Sequence, residues 1–173
     1  PGSIIKPIAL AGILNKSPYD MKENIDTSGG SYRYMGRLFH DHKDLGSVAF
    51  EDILLKSSNI AMVKLTAALP AGYLIKVYES FGLFSPLFVQ MPTEVIGRHV
   101  EPPGLVDEAA MSYGYGLSVN LLGMARAYNI LANNGYDPGV HLVFERHRPE
   151  SETVLPEEVV KQVKQMMVSV TEK

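Results

Sequence analysis

The 173-residue sequence contains no cysteine and no tryptophan. The first absence excludes disulfides, thiolate zinc sites and a cysteine nucleophile, and it fits any cellular compartment. No apolar stretch reaches the length of about 18 residues that a membrane-spanning helix needs. A basic stripe is missing too. Lys and Arg number 16 against 19 Asp and Glu, a formal net charge of −3, and no run of Lys or Arg exceeds two residues. That balance counts against a nucleic-acid module. There are no internal repeats and no low-complexity tract. The sequence opens on Pro1-Gly2-Ser3 without an initiator Met or a signal peptide. It ends on Val168 to Lys173, which reads as a helix end with no following element. We therefore expect a piece of a longer protein.

What is present is ordinary for a folded domain. Apolar residues make up 46% and charged residues 20% of the chain, with a mean hydropathy of +0.01. The length suits one domain with a substantial core. Ile8 to Lys16 predicts a short buried helix stopped by Ser17-Pro18, since the residue before proline avoids the α region. Ser28-Gly29-Gly30 predicts a turn, and Ser31 to Phe39 an extended segment mixing aromatic and basic residues. Val48 to Lys56, Ile60 to Leu69 and Ala71 to Phe81 read as three helices, with Ser47 available to cap the first and Gly82 to end the last. Residues 85–104 read as a long irregular loop. Asn120 predicts the cap of a helix running to Asn133, closed by Asn134-Gly135. Pro156 opens a last helix whose apolar residues at 159, 160, 163, 166, 167 and 170 form one stripe. Such a stripe expects a broad apolar surface, for example a sheet.

Three segments hold residues suited to chemistry. In Ser3-Ile4-Ile5-Lys6, a serine at a helix start is surrounded by backbone N–H groups and the positive end of the helix dipole. Lys6 returns to the same face, and a lysine desolvated among Ile4, Ile5 and Ile8 can serve as its base. Pro7 is a mild misfit so close to the first turn. With 13 Ser and 10 Lys, about one S-x-x-K match arises by chance. A capping serine followed by an exposed lysine is the plainer reading of that motif alone.

In Ser57-Ser58-Asn59, Ser57 can relay a proton, and the Asn59 amide can hold the lysine and bind a substrate carbonyl. The same spacing recurs at Ser118-Val119-Asn120, where Asn120 already has a capping task. We favour the first triplet because it lies between two helices. Tyr113-Gly114-Tyr115-Gly116 suits either a close backbone approach or plain packing. His40-Asp41-His42 offers two imidazoles but no third ligand at a suitable spacing, so a solvated turn is the reading there and no metal is expected. His99, His141 and His147 are isolated.

Pro1-Gly2-Ser3-Ile4-Ile5-Lys6-Pro7 resembles the P-G-S-x-x-K-P motif of class B high-molecular-weight penicillin-binding proteins, the peptidoglycan D,D-transpeptidases. Lys56-Ser57-Ser58-Asn59-Ile60 is similar to their second motif, 54 residues further on. Ser112 to Val119, then Ala125-Arg126-Ala127-Tyr128 and Asn133-Asn134-Gly135, resembles a longer stretch of the members that serve septation in Gram-negative bacteria. The resemblance covers nearly the whole chain. It implies an α+β fold, mainly helical over these residues, a partial serine β-lactamase/transpeptidase-like architecture lacking most of the central antiparallel sheet. Residues 1–173 would be part of one transpeptidase domain.

The roles it implies are Ser3 as nucleophile, Lys6 as base, Ser57 as proton relay and Asn59 as a substrate ligand. The N–H of Ser3 would form half of an oxyanion hole. Peptidoglycan stem peptides and β-lactam antibiotics would be the ligands and cell-division proteins the partners, with no cofactor and no nucleic acid. Location would be the periplasmic face of the inner membrane, through an anchor outside these residues. Two departures are minor: Ile4-Ile5 in place of Thr-Phe, and Asn120-Leu121-Leu122-Gly123 in place of T-P-L-Q. A third is larger, since no K-T-G or K-S-G triplet follows Met166-Met167. That strand binds the substrate carboxylate and gives the second oxyanion N–H, so the isolated chain is expected to be poorly soluble or loosely packed and to react slowly or not at all. A β-lactamase or β-lactam sensor is the alternative within the superfamily, but the sequence has no Glu-x-x-x-Asn loop and no Trp to support deacylation. A non-enzymatic helical binding module is the alternative outside it.

Overall fold

A computed structural model describes residues 1–87, 95–141 and 152–172. The chain starts with a 3-10 turn, Gly2–Ile5, that runs directly into helix α1, Lys6–Lys16. This helix begins two residues earlier than its apolar run suggests. Pro7 sits in its first turn, where an N–H has no intrahelical partner to lose, so it is no misfit. Lys6 through Leu14 are all buried, as befits a helix apolar on every side. Packed around α1 are α3, Asn59–Ala67, α4, Tyr73–Ser80, and α7, Glu157–Glu172. Ile5, Ile8, Leu10 and Ile13 are completely buried there, each contributing about 1.5–3 kcal/mol of transfer free energy. Gly12 lets α4 approach closely, because a Cβ on it would lie 2.6 Å from both Val77 methyls.

The strands are short and paired in twos. β1, Asn24–Asp26, pairs antiparallel with β4, Ser47–Ala49, and β2, Ser31–Tyr34, forms a hairpin with β3, Arg37–His40. Met35 and Gly36 make the hairpin turn with positive φ at both, the backbone twist that suits a two-residue connection. β5, Arg98–His99, pairs with β6, Leu117–Ser118, and β7, Tyr136–Asp137, with β8, Glu152–Thr153. Among the described residues no sheet exceeds two strands. The fold is mainly helical with few short strands, as the resemblance implies.

Two local expectations are corrected. The helix expected over Val48 to Lys56 is instead β4, a 3-10 turn at Phe50–Asp52, and α2, Ile53–Lys56. Ser47 is thus a strand residue paired with Asp26 and not a cap. The stripe of α7 lies on α1 and α2, so helices cover it, with Val160, Val163 and Met166 buried. Val170, expected in that stripe, is 47% exposed. Part of the long loop at 85–104 falls outside the described residues, and Arg98–His99 within it forms β5. The remaining helices are α5, Leu105–Met111, and α6, Leu121–Ala132, the latter capped by Asn120 as expected. No helix among the described residues is long and apolar enough to cross a membrane.

Candidate active site

The turn that carries Ser3 is held from two sides, by Gly114 and by Tyr128. Gly2 adopts φ +64° and donates its N–H to the Gly114 carbonyl at 3.3 Å. Gly114 must be glycine, because a Cβ there would lie 2.1 Å from the Gly2 carbonyl oxygen and its φ is +96°. The Tyr128 hydroxyl of α6 donates to the Ile4 carbonyl at 2.8 Å. Ser3 is exposed at the lip of this turn, in its leading residues, whose N–H groups have no partner within so short a helix. Ser3 makes no side-chain cap for the turn or for α1.

Lys6, in the first turn of α1, is only 1% exposed, so the reading of the motif as a cap followed by an exposed lysine fails here. Its Nζ donates to the Ser57 carbonyl at 2.6 Å, to Ser57 Oγ at 3.0 Å and to Asn59 Oδ1 at 2.8 Å. Ser57 Oγ in turn donates to Ser3 Oγ at 3.2 Å. Burial is the main cause that lowers the Lys6 ammonium from its usual 10.5 to about 8, opposed by the nearby Asp41 carboxylate. The protonated amine fills three contacts. A neutral amine has two N–H groups for the two carbonyl acceptors, which directs its lone pair at Ser57 Oγ. A Ser3 proton then has a continuous path through Ser57 to Lys6.

Local backbone makes this arrangement possible. Ser57 ends α2 in the left-handed region at φ +51°, so the chain reverses there and points both Ser57 and Asn59 toward Lys6. Between them Ser58 is the cap of α3, accepting from the Ala61 N–H at 3.0 Å. Asp41 completes the cap from outside. One of its oxygens accepts from the N–H groups of Asn59 and Ile60, and the other accepts from Ser58 Oγ at 2.8 Å. Asn59 Nδ2 also donates to the His40 carbonyl at 3.0 Å, which ties the triplet to β3.

The structure therefore brings Ser3, Lys6, Ser57 and Asn59 together. It keeps the second triplet elsewhere: Ser118 is in β6, and Asn120 accepts from the Gly123 N–H and donates to the Val95 carbonyl at 2.7 Å. Asp41 is the residue that sequence reasoning missed. Its segment is not a solvated turn, because Asp41 is buried with three hydrogen bonds, although His42 is exposed as expected. The Tyr113 ring meets Phe39 edge-on at 6.2 Å and Tyr115 at 5.3 Å, so an aromatic wall flanks the Gly114–Gly2 contact. Among the described residues no group of three or more His, Asp or Glu is placed to hold a metal ion.

Comparison with known proteins gives the family. The family model for the penicillin-binding protein transpeptidase domain matches residues 1–173. A probable peptidoglycan D,D-transpeptidase, PenA of Neisseria meningitidis, is 31% identical over 99% of this chain and 30% of its own length. The peptidoglycan D,D-transpeptidase FtsI of Escherichia coli is 29% identical over 98% of this chain and 29% of its own. Among solved structures, the transpeptidase domain of penicillin-binding protein 3 from Burkholderia pseudomallei aligns with a TM-score of 0.92 and 28% identity, covering 99% of this chain and 53% of that one. The chain thus spans about 30% of the length of these curated relatives.

Proposed function

Because the chain belongs to the penicillin-binding protein transpeptidase family, we propose that it carries the acylation machinery of a serine D,D-transpeptidase that cross-links peptidoglycan stem peptides. The observation that carries this reading is the buried Lys6, which bridges Ser57 and Asn59 while Ser57 reaches Ser3. Neutral Lys6 takes the Ser3 proton through Ser57 as Ser3 Oγ attacks the carbonyl of the penultimate D-Ala. The Ser3 N–H stabilises the developing oxyanion, Asn59 holds the substrate amide, and the proton returns to the leaving amine of the terminal D-Ala. The Ser3 ester is then attacked by an amine of a second stem peptide, which forms the cross-link and frees the serine. A β-lactam reacts at the first stage only, opening its ring to give a stable Ser3 ester.

The finer reading places the protein in septal wall synthesis at the periplasmic face of the inner membrane, with cell-division proteins as partners. Similarity to FtsI and to the septal members' Tyr-Gly-Tyr-Gly stretch supports it. Residues 1–173 form a helical part of one transpeptidase domain in this reading. No K-T-G triplet occurs among them, so one oxyanion donor and the carboxylate-binding strand come from elsewhere. Loss of one such donor costs about 10²–10³ in rate, so the isolated 173-residue chain acylates very slowly. The test is labelling of the full-length protein with a fluorescent penicillin, followed by peptide mapping. The label falls on Ser3 and is absent from Ser3→Ala. Stoichiometric labelling of Ser3→Ala overturns the assignment.

A further inference from the structure

The β2–β3 hairpin forms a wall that runs away from the catalytic cluster. At its near end the His40 carbonyl accepts from Asn59 Nδ2. At its far end is Arg37, three residues along β3 and about 10 Å away at the rise of an extended strand. Strand alternation puts Arg37 on the same face as Phe39, and the guanidinium carbon lies 5.4 Å from the Phe39 ring centroid. Phe39 is buried and packs edge-on against Tyr113, the neighbour of Gly114 under the nucleophile turn. Arg37 therefore stands over the aromatic wall of the site, on the Asn59 side.

Among the described residues its charge is uncommitted. Arg37 is exposed, and among the described residues its guanidinium has neither a carboxylate partner nor a hydrogen bond. The other cations nearby are occupied. Arg33 donates to the Gly36 carbonyl at 2.9 Å, and Lys64 serves the Asp26 carbonyl and Ser28 Oγ. The acid closest in sequence, Asp41, is consumed in capping α3. Arg37 also acts electrostatically toward the cleft, since its charge opposes the burial that raises the Tyr113 hydroxyl. A guanidinium drawn to a ring face by the cation–π attraction keeps its N–H edge free to take a carboxylate through two parallel bonds.

We propose that Arg37 is a substrate-binding residue that anchors a side-chain carboxylate of the peptide donor, on the amino side of the attacked carbonyl. This rests on the D,D-transpeptidase reading and deepens it. The leaving side of that substrate is a single residue, too short to follow the hairpin to its far end. The amino side is long enough, because about 10 Å corresponds to roughly three residues of extended chain. The carboxylate thus belongs to a residue two or three positions before the attacked carbonyl.

The test uses full-length protein and two synthetic pentapeptides ending in D-Ala-D-Ala. They differ only in whether the carboxylate at that position is free or carried as its amide, and release of D-Ala gives kcat/KM. Wild-type protein prefers the free acid about tenfold, chiefly through KM. In Arg37→Gln the preference falls to near one, and in Arg37→Lys, which keeps the charge without the planar fork, it is intermediate. Penicillin labelling of Ser3 shows that each variant is folded. Equal use of both peptides by the wild type, or an undiminished preference in Arg37→Gln, overturns the proposal. An equal loss on both peptides also overturns it. A wild type that takes no penicillin at Ser3 refutes the D,D-transpeptidase reading itself, a distinct result.

Discussion

Ser57-Ser58-Asn59 and Ser118-Val119-Asn120 share a spacing, and each leads into a helix, yet only the first belongs to the site. The difference is one residue of register. Before α6 the cap is Asn120, so the amide is spent on the Gly123 N–H and the Val95 carbonyl. Before α3 the cap is the middle residue, Ser58, assisted from outside by Asp41. Capping is thereby removed from Ser57 and Asn59, and a left-handed Ser57 turns both toward Lys6. The same residue types therefore do opposite work depending on which of them satisfies the helix start. A motif match carries little information until that assignment is known.

The comparison breaks most sharply at Lys6, which serves one triplet only. Lys6→Met keeps the buried stem but removes the base, and the rate of penicillin acylation at Ser3 should fall about 10²–10⁴-fold. A rate within a few-fold of wild type would remove Lys6 from the mechanism. Next in size is Asn59→Ala, which deletes one partner of the Lys6 amine and the proposed substrate ligand. Hydrogen bonds to charged groups of this kind correspond to about 10–10² in rate. Stopped-flow acylation checks it, and a loss below threefold would reduce Asn59 to a spacer.

Asp41 offers a smaller but more diagnostic change. With Lys6 as the proposed base, acylation requires its neutral form, so the rate should rise with pH below the Lys6 value of about 8 and level off above it. Asp41 opposes the burial that lowers that value. In Asp41→Asn the hydrogen-bonding positions at the start of α3 are kept, because an amide oxygen can accept from the Asn59 and Ile60 N–H groups and the Ser58 hydroxyl can accept from the amide. The buried Ser58 O–H loses its acceptor, but what Lys6 feels is the loss of the charge, so the midpoint should move to lower pH. A pH–rate profile from 6 to 9 reads this directly. A midpoint that stays or moves upward would show that Asp41 acts on the backbone alone.

These residues also mark how far the sequence could be read. α1, α3, α4, α6 and α7 were visible because their apolar spacing agrees with what they bury. The apolar run by itself starts α1 two residues late because Lys6, a charged residue, is part of its buried face. The segment 48–56 misled because Ile53, Leu54 and Leu55 look helical, while β4 carries a single buried residue, Val48, and pairs with the largely polar β1. Strands of three residues have too little alternation to detect. The four site residues were recognisable through the family motifs, since spacing alone left both triplets open. Asp41 had no signal, because a carboxylate that caps a helix from 18 residues away is indistinguishable in sequence from a surface acid. Arg37 was visible only as one basic residue in an aromatic segment. Its lack of a partner among the described residues is a fact of three dimensions.

The smallest effect belongs to the second triplet. Asn120→Ala deletes the cap of α6, which typically costs about 1 kcal/mol. Its bond to the Val95 carbonyl is lost as well, but that side chain is partly exposed and water can replace the contact. α6 should keep its place because Met124, Ala127, Ile130 and Leu131 remain buried beneath it. Fraying of the first turn would not reach Tyr128, about 12 Å further along the helix, where the hydroxyl holds the Ile4 carbonyl. The nucleophile turn is thus insulated from the cap. Asn120→Ala should lower Tm by about 2–4 °C and leave both the acylation rate and its pH midpoint at wild-type values. Asn59→Ala should slow acylation instead, although α3 keeps its Ser58 cap and its three Asp41 bonds. Thermal melts and acylation rates on the same two proteins would separate the triplets. Slower acylation in Asn120→Ala than in Asn59→Ala would mean that the wrong register has been assigned to the site.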